Sequence, residues 1–203
     1  MNKDPLPRAE SAQAAIIAAA HRLFLANGFH GTSMRMIAQE AGLALGGIYN
    51  HFDSKEAVFV AVLFEHHPFF EVLPAMNAAH GDTIEEFIRD AAHRMVARLN
   101  NRFDFLNLVF IELVEFNSVH LPLIFEKFLP EVFTFGNRCF SNRAELKNIP
   151  MPILMRAFLG LFFSYVMTEL LMGKYIPPQM KENALDHFTD IFLHGVIQEG
   201  HPA

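Results

Sequence analysis

What the chain lacks narrows its chemistry first. One cysteine, Cys139, stands in 203 residues, so no intramolecular disulfide can form and a reducing cytosol is the expected compartment. The opening MNKDPLPRAES carries charges and prolines where a signal peptide needs an apolar run. The charge-free stretch from Ala157 to Thr168 is too short to span a bilayer, so a cytoplasmic protein without a membrane partner is expected. Strand patterns are nearly missing: no alternating Val/Ile/Thr run is bracketed by Asn-Gly or Asp-Gly. G-x-S-x-G, H-E-x-x-H and the P-loop do not occur either, which argues against an enzyme. Glu112 and Glu115 stand three apart like an acid/base pair, yet no nucleophile accompanies them. Glu65, His66, His67 and Glu71 resemble a metal cluster, but adjacent histidines point to different sides of a helix and Pro68 interrupts the run. A solvated helix end is expected there, with no metal and no cofactor.

What is present is apolar spacing of three and four, in a chain that is 52% hydrophobic. AQAAIIAAAHRLFLANGF reads as a helix stopped by Gly28. Ser33 is the expected N-cap of a second helix closed by Gly42, and a very short helix follows around Leu45–His51. Asp53 with Glu56 suggests a capping box for a fourth helix, whose run Ala57 to Phe64 is apolar all round. That helix is expected to join a small N-terminal unit to the rest. Thr83 with Glu86 opens another helix to about residue 101, and further helices are expected at about 104–117, 122–143, 151–172 and 180–195. The fold class is therefore all-α, with an N-terminal domain over 1–60 and a larger helical domain over 61–203.

Two short helices joined by a glycine turn make a helix-turn-helix, whose second helix enters the major groove. From Ile16 to Leu63 the order of residues resembles the DNA-binding domain of the tetracycline-repressor (TetR) family of transcriptional regulators. The matching features are Ala20, Phe24, Gly28-Phe29, Thr32-Ser33, Ile37-Ala38, Ala41-Gly42, Gly46, Tyr49, His51-Phe52 and Lys55-Glu56. The resemblance implies a helix-turn-helix motif at about 33–52, a double-stranded DNA operator as partner, a homodimer, and a C-terminal domain that binds an inducer. Ser33, Arg35, Leu45, Gly46, Gly47, Tyr49, Asn50, His51 and Lys55 are the expected DNA-binding residues. Arg35 can reach a phosphate or a guanine edge, Leu45 can pack on a thymine methyl, and Tyr49, His51 and Lys55 offer donors to the DNA backbone. The chain departs from the family pattern at Ala44, where Ser or Thr commonly caps the third helix, and at Leu45 and Gly47, where polar residues often read bases.

Charge and aromatics divide unevenly. Residues 1–60 hold five basic and five acidic side chains, so the net charge of −6 falls on the remainder. That remainder also carries 18 of the 22 phenylalanines. In a family that binds inducers, this excess points to an apolar pocket for a small hydrophobic or aromatic ligand. Phe87, Met95, Phe103, Phe110, Phe116, Phe125, Phe128, Phe158 and Phe162 are its expected lining, with Asn107 and Tyr165 as polar contacts. The last two long helices are expected to form the homodimer contact through a face containing Leu185, Phe188, Ile191, Phe192 and Val196. A rival reading, favoured by the neutral N-terminal domain and by Ala44-Leu45, is an apolar-ligand carrier or sensor of the same fold without useful DNA binding.

Overall fold

The computed structural model describes residues 8–99, 102–141 and 146–197. Among these the helices are α1 (Arg8–Asn27), α2 (Met34–Glu40), α3 (Leu45–Tyr49), α4 (Lys55–Glu65), α5 (Phe69–Asn77), α6 (Ile84–Leu99), α7 (Phe103–Glu115), α8 (Leu121–Phe140), α9 (Met151–Met172), α10 (Pro178–Lys181) and α11 (Ala184–Val196). No strand forms among the described residues, and an isolated bridge pairs Leu146 with Ile197. The all-α reading holds.

Local chemistry sets most boundaries. Gly28 ends α1 at φ +71°, a conformation that costs glycine nothing, and its N–H donates to the Phe24 carbonyl at 2.9 Å. The Thr83–Glu86 capping box is reciprocal. Thr83 Oγ1 accepts from the Glu86 N–H at 3.2 Å, while Glu86 Oε2 accepts from the N–H groups of Asp82 and Thr83 at 2.9 and 3.4 Å. At α4 the N-cap is Ser54, one residue past the expected Asp53; its Oγ accepts from the Ala57 N–H at 3.0 Å. In the sequence the fourth helix is expected to end before Pro68, with no helix between there and Thr83, yet α5 forms in that interval. Pro68 instead occupies the N-cap position, where its missing N–H costs nothing, and Pro74 is carried inside a helix of 9 residues.

The described chain forms two compact units. One gathers the residues up to His67 together with Phe103–Ile124, and the other takes Pro68–Arg102 and the chain from Phe125 on. The sequence placed a boundary near residue 60 and read α4 as a joining element. In the structure α4 lies within the first unit and packs there on α1 and α7. The reason is the apolar girth noted above: Val58, Phe59, Val62 and Leu63 are all buried, which takes neighbours on more than one side.

The second unit has an aromatic core. Phe158 and Phe162 of α9 are fully buried with ring centroids 4.7 Å apart, and Phe192 of α11 lies 5.5 Å from Phe158. Phe135 and Phe140 of α8 join them, with Phe87 and Met95 of α6 in the same cluster. Polar ties at the edge join α6 to α11: Arg89 pairs with Asp190, and His93 Nε2 meets Asp186 at 2.9 Å.

Candidate nucleic-acid interface

The first unit presents α2 and α3 by packing their apolar sides inward. Ile37 and Ala38 of α2 and Ile48 of α3 are buried, and Phe52 closes the end of α3 at 7% exposure. The opposite faces carry the residues expected to meet DNA. Ser33, Arg35, Leu45, Gly46, Tyr49 and Asn50 are exposed, and Gly47 and His51 are half-buried. Ser33 caps α2 with extended backbone, its Oγ accepting from the Met36 N–H at 3.2 Å. No side chain caps α3, since its N-cap is Ala44.

Helix α3 contains two glycines that its own fold does not need. A Cβ built on Gly46 meets nothing within 4 Å, and one on Gly47 meets only Leu43 Cβ at 3.9 Å, an ordinary contact. Neither residue has positive φ, unlike Gly28 and Gly42. Each glycine nevertheless costs a helix interior roughly 0.8–1 kcal/mol relative to alanine. The unit tolerates that cost on an exposed face where bare backbone can be approached closely.

Lys55 is placed differently from the expected phosphate contact. Its Nζ donates to the carbonyls of Phe29 and Thr32, both at 2.6 Å, and sits 4.1 Å from the centroid of the Phe29 ring. Burial lowers its pKa from the ordinary lysine value, with the Glu115 charge acting in the other direction. The ammonium thus braces the turn between α1 and α2. The sequence gives no signal for this, because the carbonyls it reaches lie more than twenty residues earlier.

The same turn is held from its other side by α7. Glu115 accepts from the backbone N–H groups of Phe29 at 3.2 Å and His30 at 3.0 Å. A Cβ on Gly28 would come within 3.2 Å of Glu115 Oε1, so a side chain there would crowd this contact as well as strain the backbone. Phe116 packs on Phe29 and Phe59, with centroids 4.5 and 4.8 Å away.

One turn back on α7, Glu112 is fully buried. It accepts from the His120 backbone N–H at 2.7 Å and meets His120 Nδ1 at 2.8 Å, while His120 Nε2 lies 3.0 Å from Glu56 Oε1 at the start of α4. Asn117 and Ser118, both at positive φ, turn the chain so that His120 returns to Glu112. Burial acts against the charged imidazole, but hydrogen bonds to Glu112 and Glu56, with the charges of both, raise its pKa above the ordinary value. Glu112 and Glu115, which in the sequence resemble an acid/base pair, are therefore braces of the first unit.

The residues expected to line a ligand pocket divide between the units. Asn107 and Phe110 are exposed and Phe116 is half-buried, all in the first unit; the Phe103 side chain lies outside the described ones. Phe87, Met95, Phe158 and Phe162 fill the second unit's core, so packing accounts for much of the aromatic excess. Phe128 is buried against Phe69 and Phe70, Phe125 is half exposed at 50%, and Tyr165 packs on Phe188 at 5.2 Å. Burial, then the charges of Glu169 and Asp186, raises the Tyr165 pKa.

Comparison with known proteins supports the reading of the α2–α3 face. Residues 16–62 match the model for bacterial regulatory proteins of the tetR family. Over 197 residues the chain is 22% identical to YvkB of Bacillus subtilis (strain 168), named an uncharacterized HTH-type transcriptional regulator; the match covers 89% of this chain and 95% of that protein. The HTH-type transcriptional regulator UidR of Escherichia coli (strain K12) is 37% identical over 57 residues, 28% of this chain and 29% of UidR. Among solved structures, NalD of Pseudomonas aeruginosa, the secondary repressor of the MexAB-OprM multidrug efflux pump, has the same fold. It superposes with a TM-score of 0.66 at 20% identity, covering 94% of this chain and 98% of that one.

Proposed function

Because the chain belongs to the tetR family of bacterial regulatory proteins, which are DNA-binding regulators and not enzymes, we propose that it is a homodimeric repressor released from its operator by a small hydrophobic ligand. The observation that carries the DNA part is the α3 face: two glycines without an internal role, flanked by exposed Leu45, Tyr49 and Asn50. Such a helix reads DNA by close backbone approach and shape, and Leu45 offers a methyl contact to thymine. Arg35, exposed on α2, is the one long cationic side chain on that face among the described residues and supplies a direct base contact. Ser33, Tyr49 and His51 serve the phosphates. NalD's description as a repressor supports the repressor sense.

The homodimer is supported by an apolar face that the described residues leave uncovered. On α9, Ile153, Phe163, Leu171 and Met172 are each more than half exposed, as is Ile191 of α11. By length and composition α9 could also cross a membrane, but a second copy packing along that face covers it equally well. Leu185, Phe192 and Val196 serve the chain's own core, and Phe188 is half-buried against Tyr165. Ile191 and Phe163 therefore replace them as the interface residues to test. In the second unit, Phe125 and Tyr165 are the partly accessible members of the expected ligand set.

The deciding experiment is binding of the full chain to DNA flanking its own gene, at fixed salt, followed by titration with acyl-chain and aromatic compounds. Specific binding that Arg35→Ala weakens by about 1–3 kcal/mol at one position per half-site supports the reading. Absence of binding to that DNA, or uniform weakening on every sequence, overturns the assigned base contact or the function.

A further inference from the structure

We propose that His21, His66 and Asp104 form a binding site for one divalent transition-metal ion of the zinc class. The sequence grouped His66 with Glu65, His67 and Glu71, and the structure separates that group. His67 packs on the Phe105 ring at 4.6 Å, and Glu71 pairs with Arg102 at 3.2 Å. His66, the C-cap of α4, instead meets His21 of α1 and Asp104 in the first turn of α7. One ligand atom from each of the three lies within 4.8 Å of the others, and all three side chains are half-buried.

The donor set selects the ion. Two imidazole nitrogens and one carboxylate oxygen suit zinc, cobalt or nickel, whereas calcium and magnesium take oxygen almost throughout. The His21 and His66 rings stack at 3.6 Å with planes 15° apart. Asp104 Oδ2 lies 3.7 Å from His21 Nε2 and brings the compensating negative charge.

Coordination requires one movement. A metal lies in the plane of each imidazole that binds it, so one ring must turn about χ2 out of the stack. Ligand atoms on a tetrahedral zinc are about 3.3 Å apart, against the present limit of 4.8 Å. His66 is the ring placed to move, since it also lines a cleft of about 320 Å³ with Gln13, Ala14, Ile17, Ala18 and Glu65. The cleft gives an ion an entry path and leaves the fourth position to water. Once bound, the ion would tie the ends of α4 and α7 to the middle of α1.

The test is titration of chelator-treated full-length protein with Zn2+ by calorimetry and with Co2+ by visible absorption. The expected result is one ion per chain, with the intense visible bands of low-coordinate cobalt. His66→Gln, His21→Gln and Asp104→Asn should each weaken binding by at least about tenfold. His93→Ala removes another histidine that faces a carboxylate, Asp186 at 2.9 Å, and should leave binding unchanged. Metal should also raise the melting temperature of the parent protein and not of the three ligand variants. If a His21 variant does not fold, Asp104→Asn and His66→Gln decide. Sub-stoichiometric binding, binding unaltered in the ligand variants, or equal loss in His93→Ala overturns the site.

Discussion

The two units reach stability by different means. In the first, ionisable side chains of α7 and α4 bind backbone: Glu115 takes two amide hydrogens, Lys55 gives to two carbonyls, and Glu112 holds His120. In the second, rings fill the centre, and the ion pairs of α6 with α11 stay at the half-exposed edge. Directional contacts fix geometry, which a reading surface needs; non-directional burial supplies stability and tolerates re-packing. Substitution in either unit should therefore fail in its own way.

The largest effect expected is from Phe158→Ala, which empties a fully buried site and should cost about 3–5 kcal/mol in denaturant unfolding. A loss under 1 kcal/mol would show that the aromatic cluster is loose enough to serve as a ligand cavity. Next comes Glu112→Gln, which keeps the shape of a fully buried residue but removes the charge facing His120. It should cost about 1.5–3 kcal/mol and also weaken DNA binding, whereas Phe158→Ala at a permissive temperature should not. Equal effects of the two on DNA affinity would erase the contrast between the units.

A smaller effect is expected from pH. The folded-state pKa of His120 is above its unfolded value, so its contribution is complete below about pH 6.5 and is lost as pH rises through the folded-state value. Melting temperature should accordingly fall as pH rises from the slightly acidic range, and Glu56→Gln should flatten that dependence. An unchanged slope in Glu56→Gln would mean that the hydrogen bond from Nε2 to Glu56 contributes nothing. The smallest change in stability is from Gly46→Ala, a gain of about 0.5–1 kcal/mol, joined to a loss of about tenfold in DNA affinity. A gain in stability with unaltered affinity would remove the role assigned to bare backbone on α3.

Most of the helical layout was legible because it is written locally. Gly28, Ser33 and the Thr83–Glu86 pair act on backbone within a few residues, so their spacing carries the information. The exposed face of α2 and α3 was legible for the same reason. What the sequence could not tell depends on residues far apart in the chain. Lys55 looks like a surface cation until Phe29 and Thr32 are folded beneath it, and Glu112 looks idle until the turn at Asn117 and Ser118 returns His120. Pro68 misled for another reason: the cost of a proline depends on its position within a helix, and Pro68 stands where that cost vanishes.

The grip of Glu115 on the turn between α1 and α2 bears on how regulators of this kind can be recombined. A hybrid spliced at residue 67 would carry α1 to α4 but leave behind Glu112, Glu115, Phe116 and His120. Lys55 would still hold its two carbonyls, but the amides of Phe29 and His30 would lose their acceptor, and Phe59 its cover. The transferable part is discontinuous: the residues up to His67 together with Phe103–Ile124. A graft that respects that boundary takes its brace with it.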